Sequence, residues 1–544
     1  MKKIKELDIK KLYSWGIFLL AVLNIIVFIF IANKIYFRMD LTEGQKYSIS
    51  KPSVDILKNL QDQLVIEYYY NDKSKELSEM ALVIQYVVDM LKEYESASKG
   101  KVNVIIRELN FEKNAGDIAD LESQGLQTFA LSESGKAESK SLLGLSGIIV
   151  KYKGQQRSIP TVYSDVGFEF RLDVEIKKLT GTGSEGGVGV LMSSKGKTLD
   201  KDYKYVEQVI SKEYNDVRII NPGDGIPKDI GTLVLIGGDD LTDYDLFGID
   251  QFFMNGGKAF VALNGIDVAI SQYGIYATPK DNKLMQLLAY YGIRVNKDLI
   301  GDNDSYTPLP QRNGIFVQQN RYPIWPKIKS NNFNSKNPIV NDMENLNLFW
   351  ASSISIDDRV KSNAEWLFKT TKSSWAQQGD YKLDIETYKY PVQEGAKEFE
   401  MAYVFEGEVA SFFKDQPVPK NDKNPQETYT GTRYDNGKTK IIIIGNEFFI
   451  DSNFAGNDEL LLLMNGIDAL SKDTSLIQIR NKGKFSKPLY KAKNQLQHDT
   501  YKNIIIGFTT YFIPLLFIIL AVVLNFRRKL INKKIKDSFV KSSN

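Results

Sequence analysis

Two uncharged apolar stretches at opposite ends of the chain constrain its architecture more than any other feature. Residues 14–32 read SWGIFLLAVLNIIVFIFIA and residues 503–525 read NIIIGFTTYFIPLLFIILAVVLN, and neither contains a charged side chain. As a helix the first spans about 28 Å, close to the hydrocarbon thickness of a bilayer. A backbone in lipid must satisfy its own hydrogen bonds, so both stretches predict transmembrane helices, the second kinked at Pro514. A cleaved signal peptide is the alternative for the first. Its 19 apolar residues exceed the usual signal core, and Asn33-Lys34-Ile35-Tyr36 offers no small-residue cleavage site. For the second, the alternative is a soluble core helix, which an uncharged run followed by Arg527-Arg528-Lys529 disfavours.

The flanking charge sets the expected topology. Twelve of the 70 basic residues and three of the 67 acidic ones lie in residues 1–13 and 526–544, which leaves the middle of the chain at −6. Basic residues at the outer end of each span predict two cytoplasmic tails, with residues 34–502 on the other side of an inner membrane. Because the positive charge belongs to the tails, it is no argument for nucleic-acid binding.

With 544 residues, 43% hydrophobic and 25% charged, the chain is long enough for several domains. Residues 33–63 read as a membrane-proximal connector, in which Asp40 and Thr42 are candidate caps and Ser50 is placed to N-cap the stretch 51–60. A small α/β domain is expected over 64–180, built from strands 64–70, 102–108 and 147–152 and a helix at 75–98. That helix carries Leu77, Met80, Ile84, Val87, Val88 and Leu91 on one face. The glycine-rich run GTGSEGGVG at 181–189 marks a boundary. Over 187–480 the apolar strands 187–192, 232–237, 258–263 and 440–444 alternate with helices near 201–214, 246–255, 282–292 and 458–470. Continuous apolar strands between amphipathic helices predict a doubly wound, mostly parallel sheet. The fold class expected is therefore α/β: this domain, the smaller one, and a transmembrane helix at each end. An irregular insertion is expected at about 302–435, and a juxtamembrane segment at 481–502.

Little enzyme chemistry is available. The chain has no cysteine and one histidine, His498, which removes thiolate metal sites and cysteine nucleophiles. Gly196-Lys197-Thr198 follows a strand and precedes a helix, where a phosphate loop would sit, but Leu191 occupies the position of the required glycine. Lys197 and Thr198 remain candidates for contact with some ligand or partner at the carboxyl end of the sheet, as do Gly237, Gly238 and Asp239, which end strand 232–237. Glycine pairs there also serve tight turns, the commoner use. Asp239-Asp240 as an acid/base or metal pair is weakened because adjacent carboxylates point in different directions. Tyr322, Trp325, Trp350, Trp366 and Trp375 suit either a sugar- or peptide-binding cleft or the packing of the insertion, the commoner role. No catalytic residue, metal site or cofactor is assigned.

Several segments together resemble the GldG family of gliding-motility-associated auxiliary subunits of ABC transporters. They are RMDLTEGQKYSIS at 38–50, EFRLDVEIKKLTG at 169–181, LVLIGGDDLTDYDLFGIDQFFMNGGKAFVAL at 233–263, LLAYYGIRVNKDLIGD at 287–302, YPIWPKI at 322–328, IIIIGNEFFIDSNF at 441–454 and LLLMNGIDALSKDTSLIQIRNK at 461–482. The resemblance implies a central domain similar to ciliary intraflagellar-transport proteins and to glutamine-amidotransferase-like sheets, without the amidotransferase cysteine and so without its activity. It also implies two partners, a membrane permease and a separate cytoplasmic ATPase. The function expected is a non-enzymatic membrane-anchored subunit whose outer domain binds a substrate or partner or transmits permease motion. The alternatives are an envelope-glycan hydrolase using Asp/Glu carboxylates, and a structural scaffold. Gly507, Thr510 and Pro514 in the second span are candidate permease-docking positions, since small residues let helices approach closely in lipid.

Overall fold

The computed structural model describes residues 47–482 except 77, 111–112, 135–138, 182–185, 272–273, 314–315, 389–394, 427 and 472–474, together with Asp40 and isolated positions in the two end segments. Residues Met1–Gly483 form one compact unit and Lys484–Asn544 another. The basic tail 1–13, most of the tail 526–544, His498, Gly507 and Pro514 lie outside the described residues, as does most of both apolar stretches. Among the described residues, no helix is long and apolar enough to cross a membrane. The described positions of the first stretch are helical, with Leu19, Leu20 and Leu23 exposed. There Asn24 donates its side-chain amide to the Leu20 carbonyl at 2.8 Å. Thr510 has helical backbone and is exposed.

The amino-terminal part begins with helix α1 (Lys51–Lys58), whose cap is the expected one: Ser50 Oγ accepts from the Ser53 amide, and a proline stands in the first turn. Strand β1 (Leu64–Asn71), helix α2 (Ser78–Ala97) and strand β2 (Val102–Leu109) form a parallel β1–β2 unit. After α3 (Ala115–Ser123), β3 (Thr128–Ser134), β4 (Ser139–Tyr152) and β5 (Gln155–Ile159) add antiparallel strands, giving the order β2-β1-β4-β3 with β5 also on β4. The expected strand at 147–152 is thus the second half of a 14-residue strand. Helix α4 (Phe168–Thr180) closes the core, in which Met80, Ile84, Val87 and Leu91 pack with Phe168, Leu172 and Ile176.

The larger sheet contains β6 (Gly187–Ser193), α5 (Lys204–Glu213), β7 (Val217–Ile220), β8 (Ile230–Gly237), α6 (Asp243–Met254), β9 (Lys258–Ala262) and α7 (Lys283–Tyr290). It continues with β10 (Ala364–Lys369), β11 (Glu400–Ala410), β12 (Asn436–Ile444), α8 (Asn457–Leu470) and α9 (Ser475–Lys482). Its spatial order is β10-β11-β12-β9-β8-β6-β7, and the run β12-β9-β8-β6-β7 is parallel throughout. Taken in chain order those five strands read 2-1-3-4-5, a doubly wound topology. Helices α5 and α8 cover one face, α6 and α7 the other. The insertion is less irregular than its sequence suggests, because β10 and β11 extend this sheet as two antiparallel strands, with β10 at the edge. Tyr322, Trp325, Trp350 and Trp375 are buried together in a core of their own, whereas Trp366 is half-buried on β10.

Three helices, two of them at the ends of the continuous described region, meet at one point. Val174 of α4 packs with Leu476 and Ile479 of α9, and Ile56 of α1 and Phe170 lie against them. A polar stripe on α4 reinforces this contact. Glu169 accepts from the Ser50 amide at 2.5 Å, Ser53 Oγ lies 2.6 Å from both Glu169 and Asp173, and Tyr94 donates to Asp173 at 2.8 Å. A serine hydroxyl has one proton to give, so one of the two carboxyls needs a proton of its own. Burial supplies it by pushing Asp173 up to about 7. One turn further along, Lys177 reaches Ser475 of α9. Arg480 then ties α9 to the large sheet through Glu213 and Asp468, at 2.6 and 2.7 Å.

Candidate functional site: the crevice at the strand-order reversal

Strands β6 and β8 are neighbours, but the helices that follow them lie on opposite faces of the sheet, so their loops part at Ser193 and Gly237. A crevice at the carboxyl ends of such strands is where open α/β sheets bind ligands. Four of the five expected residues meet others there.

Gly237 has φ +76°, and a Cβ at that position would stand 2.7 Å from the Ser193 carbonyl. At Gly238, with φ +147°, a Cβ would stand 2.9 Å from Leu284 Cβ of α7. Only glycine suits both positions. The turn they permit brings the amides of Gly238 and Asp239 onto the Ser193 carbonyl, at 2.6 and 2.7 Å. The Asp239 carboxylate then accepts from the Lys195 amide at 3.0 Å and from the Asn282 side chain at 3.1 Å, which clamps the two diverging loops together. Asp240 donates its amide to Ser193 Oγ and has an exposed side chain. The two aspartates therefore do not act as a pair.

The floor of the crevice is ionic. Lys280, only 2% exposed, contacts Asp239 at 3.0 Å, Asp267 at 3.2 Å and Glu447 at 3.5 Å. Burial alone would lower its pKa, but Glu447, Asp239 and Asp267 outweigh burial and push it up to about 12. Glu447 also accepts from Ser194 Oγ at 3.1 Å, and its backbone amide donates to Asn264. Lys197 turns inward: its ammonium lies 3.1 Å from Asp451, 3.2 Å from the Tyr203 hydroxyl and 4.0 Å from the Phe448 ring centroid. Thr198 is exposed. Its amide donates to Asp202, and its hydroxyl holds the Asp200 carboxyl below its usual range.

Chemically this is a closed lattice of lysines and carboxylates joining four strand ends. Leu191, the residue that replaces the phosphate-loop glycine, is buried in the middle of β6. Among the described residues, no group of His, Cys, Asp and Glu is arranged to hold a metal ion. Sequence reasoning did not single out Lys280, Glu447, Asp451 or Asn264. The available signal was an Asn or Asn-Glu directly after an unbroken apolar strand, at Asn264 and at Asn446-Glu447, which places polar groups at the carboxyl edge of a buried sheet.

Fold and site together define a doubly wound α/β protein whose strand-order reversal is braced by internal ion pairs. Residues 185–475 match the model of a family described as "ABC-type uncharacterized transport system", and residues 43–151 match a domain of unknown function. The first match covers more than half of the chain, which therefore belongs to this family of auxiliary components of ABC-type transport systems. An uncharacterized protein of Borreliella burgdorferi is 26% identical over 401 residues, covering 71% of this chain and 76% of that one. Among solved structures, the N-terminal domain of mmIFT52 aligns with a TM-score of 0.30 at 12% identity, over 52% of this chain and 96% of that one. A ThuA-like protein from Bacteroides uniformis aligns with a TM-score of 0.29 at 11% identity, over 54% and 94%. At these scores neither likeness bears on function.

Proposed function

We propose that this chain is a non-enzymatic, membrane-anchored subunit that couples a permease and a cytoplasmic ATPase to an extracytoplasmic domain. The observation that carries the reading is the meeting of α1, α4 and α9. Eighteen residues separate the end of the first apolar stretch from helix α1, and 20 separate the end of α9 from the second stretch. If both stretches span the bilayer, two membrane tethers converge on one helix, α4, whose other side belongs to the core of the smaller domain. A displacement of either span relative to the other would then be felt at α4 and passed to both sheets. The family membership and the basic flanks of both spans support the same reading, and the resemblance to GldG proteins makes gliding motility one setting for it.

Affinity purification from native membranes in mild detergent tests this reading. A multispan permease and a phosphate-loop ATPase should co-purify. Replacing Gly507 and Thr510 with leucine should lower permease recovery while the amount of this chain in the membrane stays the same. Recovery of neither partner from freshly solubilised membranes would overturn the proposal.

A further inference from the structure

A cavity of about 760 Å³ opens at the amino-terminal ends of β6, β8 and β9, the end of the sheet opposite the crevice. Its volume falls in the range of small-molecule sites, about 300–1,000 Å³. Three features define its chemistry.

The first is aromatic surface held in place. Phe252, Tyr429 and Tyr434 line the cavity, and Tyr434 is 39% exposed. The backbone of Tyr434 is pinned from both sides by Gln251, which accepts from its amide at 2.8 Å and donates to its carbonyl at 3.0 Å. Tyr429 stands edge-on to Phe247 with centroids 4.9 Å apart, and its hydroxyl donates to the Thr432 carbonyl. A ring fixed like that of Tyr429, and a backbone fixed like that of Tyr434, lower the ordering entropy to be lost when a ligand stacks there.

The second is that the charge at the rim is balanced, with Asp224 and Asp229 matched by Lys228 and Lys258. Asp229 is held by Arg218, Lys258 donates to the Leu470 carbonyl at 2.7 Å, and Asp224 accepts from Asn221 at 3.0 Å. The remaining polar lining includes Asn255, Thr428 and Thr430. Such a surface offers stacking and neutral hydrogen bonds, with no surplus of either sign to select an ion.

The third is Gly248, inside helix α6 on the cavity wall. Glycine within a helix costs about 1 kcal/mol relative to alanine. A Cβ built at Gly248 meets nothing within 4 Å, so packing does not require glycine here. What its absence of a side chain preserves is open volume.

We propose that this cavity binds an uncharged oligosaccharide, with a sugar face on the tyrosine rings and its hydroxyls on the amide and threonine groups. The site stands independently of the coupling role above. The cavity shares Gly186 and Asp229 with a smaller one lined by Val174 and Lys177 of α4 and Leu476 of α9. A bound glycan would therefore lie beside the junction of α4 and α9.

The test uses the full chain in a detergent without a sugar headgroup, titrated calorimetrically with chitotetraose, cellotetraose and maltotetraose. At least one should bind with a Kd of about 1 mM or tighter, and Gly248→Trp should weaken it at least about tenfold by filling the cavity. Tyr434→Ala removes an exposed ring, spares the core, and should weaken binding similarly, so it decides the matter if Gly248→Trp fails to fold. Absence of binding by all three sugars at about 10 mM, or undiminished binding to a folded Gly248→Trp or Tyr434→Ala variant, would overturn the assignment.

Discussion

Lys177 donates its ammonium to the Ser475 hydroxyl at 3.0 Å across 298 positions of sequence, joining the helix that closes the smaller domain to the last helix of the compact unit. Lys177 belongs to the stripe Glu169, Asp173, Lys177, spaced by four residues along one face of α4, so a single helix face grips both α1 and α9. Burial lowers Lys177 to about 8, with Asp468 and Asp173 opposing the shift. The hydrogen-bond geometry of this stripe is what gives α1 and α9 a common anchor.

Asp173 makes the stability of this junction depend on pH. Its carboxyl titrates near 7 when folded and near 4 when unfolded, so the folded state holds the proton more tightly. Stability is then fully present below about pH 4 and is lost as pH rises through 7, by up to about 4 kcal/mol. Asp173→Asn imitates the protonated acid. Its unfolding midpoint should match the natural protein near pH 4 and exceed it by a growing margin up to about pH 8, and parallel midpoint-versus-pH curves would show that the carboxyl is not the source.

Two glycine substitutions should move stability in opposite directions. Gly237→Ala forces a Cβ against the Ser193 carbonyl at positive φ and should cost about 2–4 kcal/mol. Gly248→Ala enters open space on a helix and should add about 0.5–1 kcal/mol. Denaturant midpoints decide both, and a neutral Gly237→Ala would mean that the reversal is not braced as described.

The two crevice lysines differ in weight. Lys280→Met leaves the buried Glu447 and the neighbouring Asp239 without their counter-ion and should cost about 3–5 kcal/mol. Lys197→Ala removes the counter-ion of the buried Asp451, which keeps its bonds from Asn453, and should cost about 1.5–3 kcal/mol, leaving any ATPase activity of a purified complex unchanged. Loss of turnover in a folded Lys197→Ala complex would show that the loop after β6 does handle nucleotide.

The doubly wound sheet was legible because GVGVLM, TLVLIG, KAFVAL and KIIII are buried on both faces, which forces near-continuous apolar runs. Strand β3 and the first half of β4 were not, since TFALSES and SKSLLGLS mix serine, lysine and glutamate with apolar residues as a strand at a sheet edge does. Strands β10 and β11 were missed for a related reason: Glu406 and Glu408 interrupt the apolar run, and the long connection between the two strands hides their pairing. Lys197, Gly237, Gly238 and Asp239 could be placed at strand ends from sequence. Their partners Lys280, Glu447 and Asp451 could not, because those contacts span up to 254 positions and exist only once the strands are ordered.

The proposed topology has its own check. Protease added outside spheroplasts should digest the region 34–502 while both basic tails stay protected, as the positive-inside rule requires. A protected central region would reverse the arrangement.

The coupling account is tested most directly by a distance between the tether-proximal helices. The chain has no cysteine, so Asp55→Cys on α1 and Gln478→Cys on α9, both exposed, give a unique spin-label pair. Pulsed electron resonance on the membrane-embedded complex should give one narrow distance distribution. Asp173→Ala combined with Lys177→Met should broaden it while the rest of the unit stays folded. A broad distribution in the unaltered protein, or a narrow one that survives loss of both side chains, would contradict the claim that α4 holds the two tethers as one body.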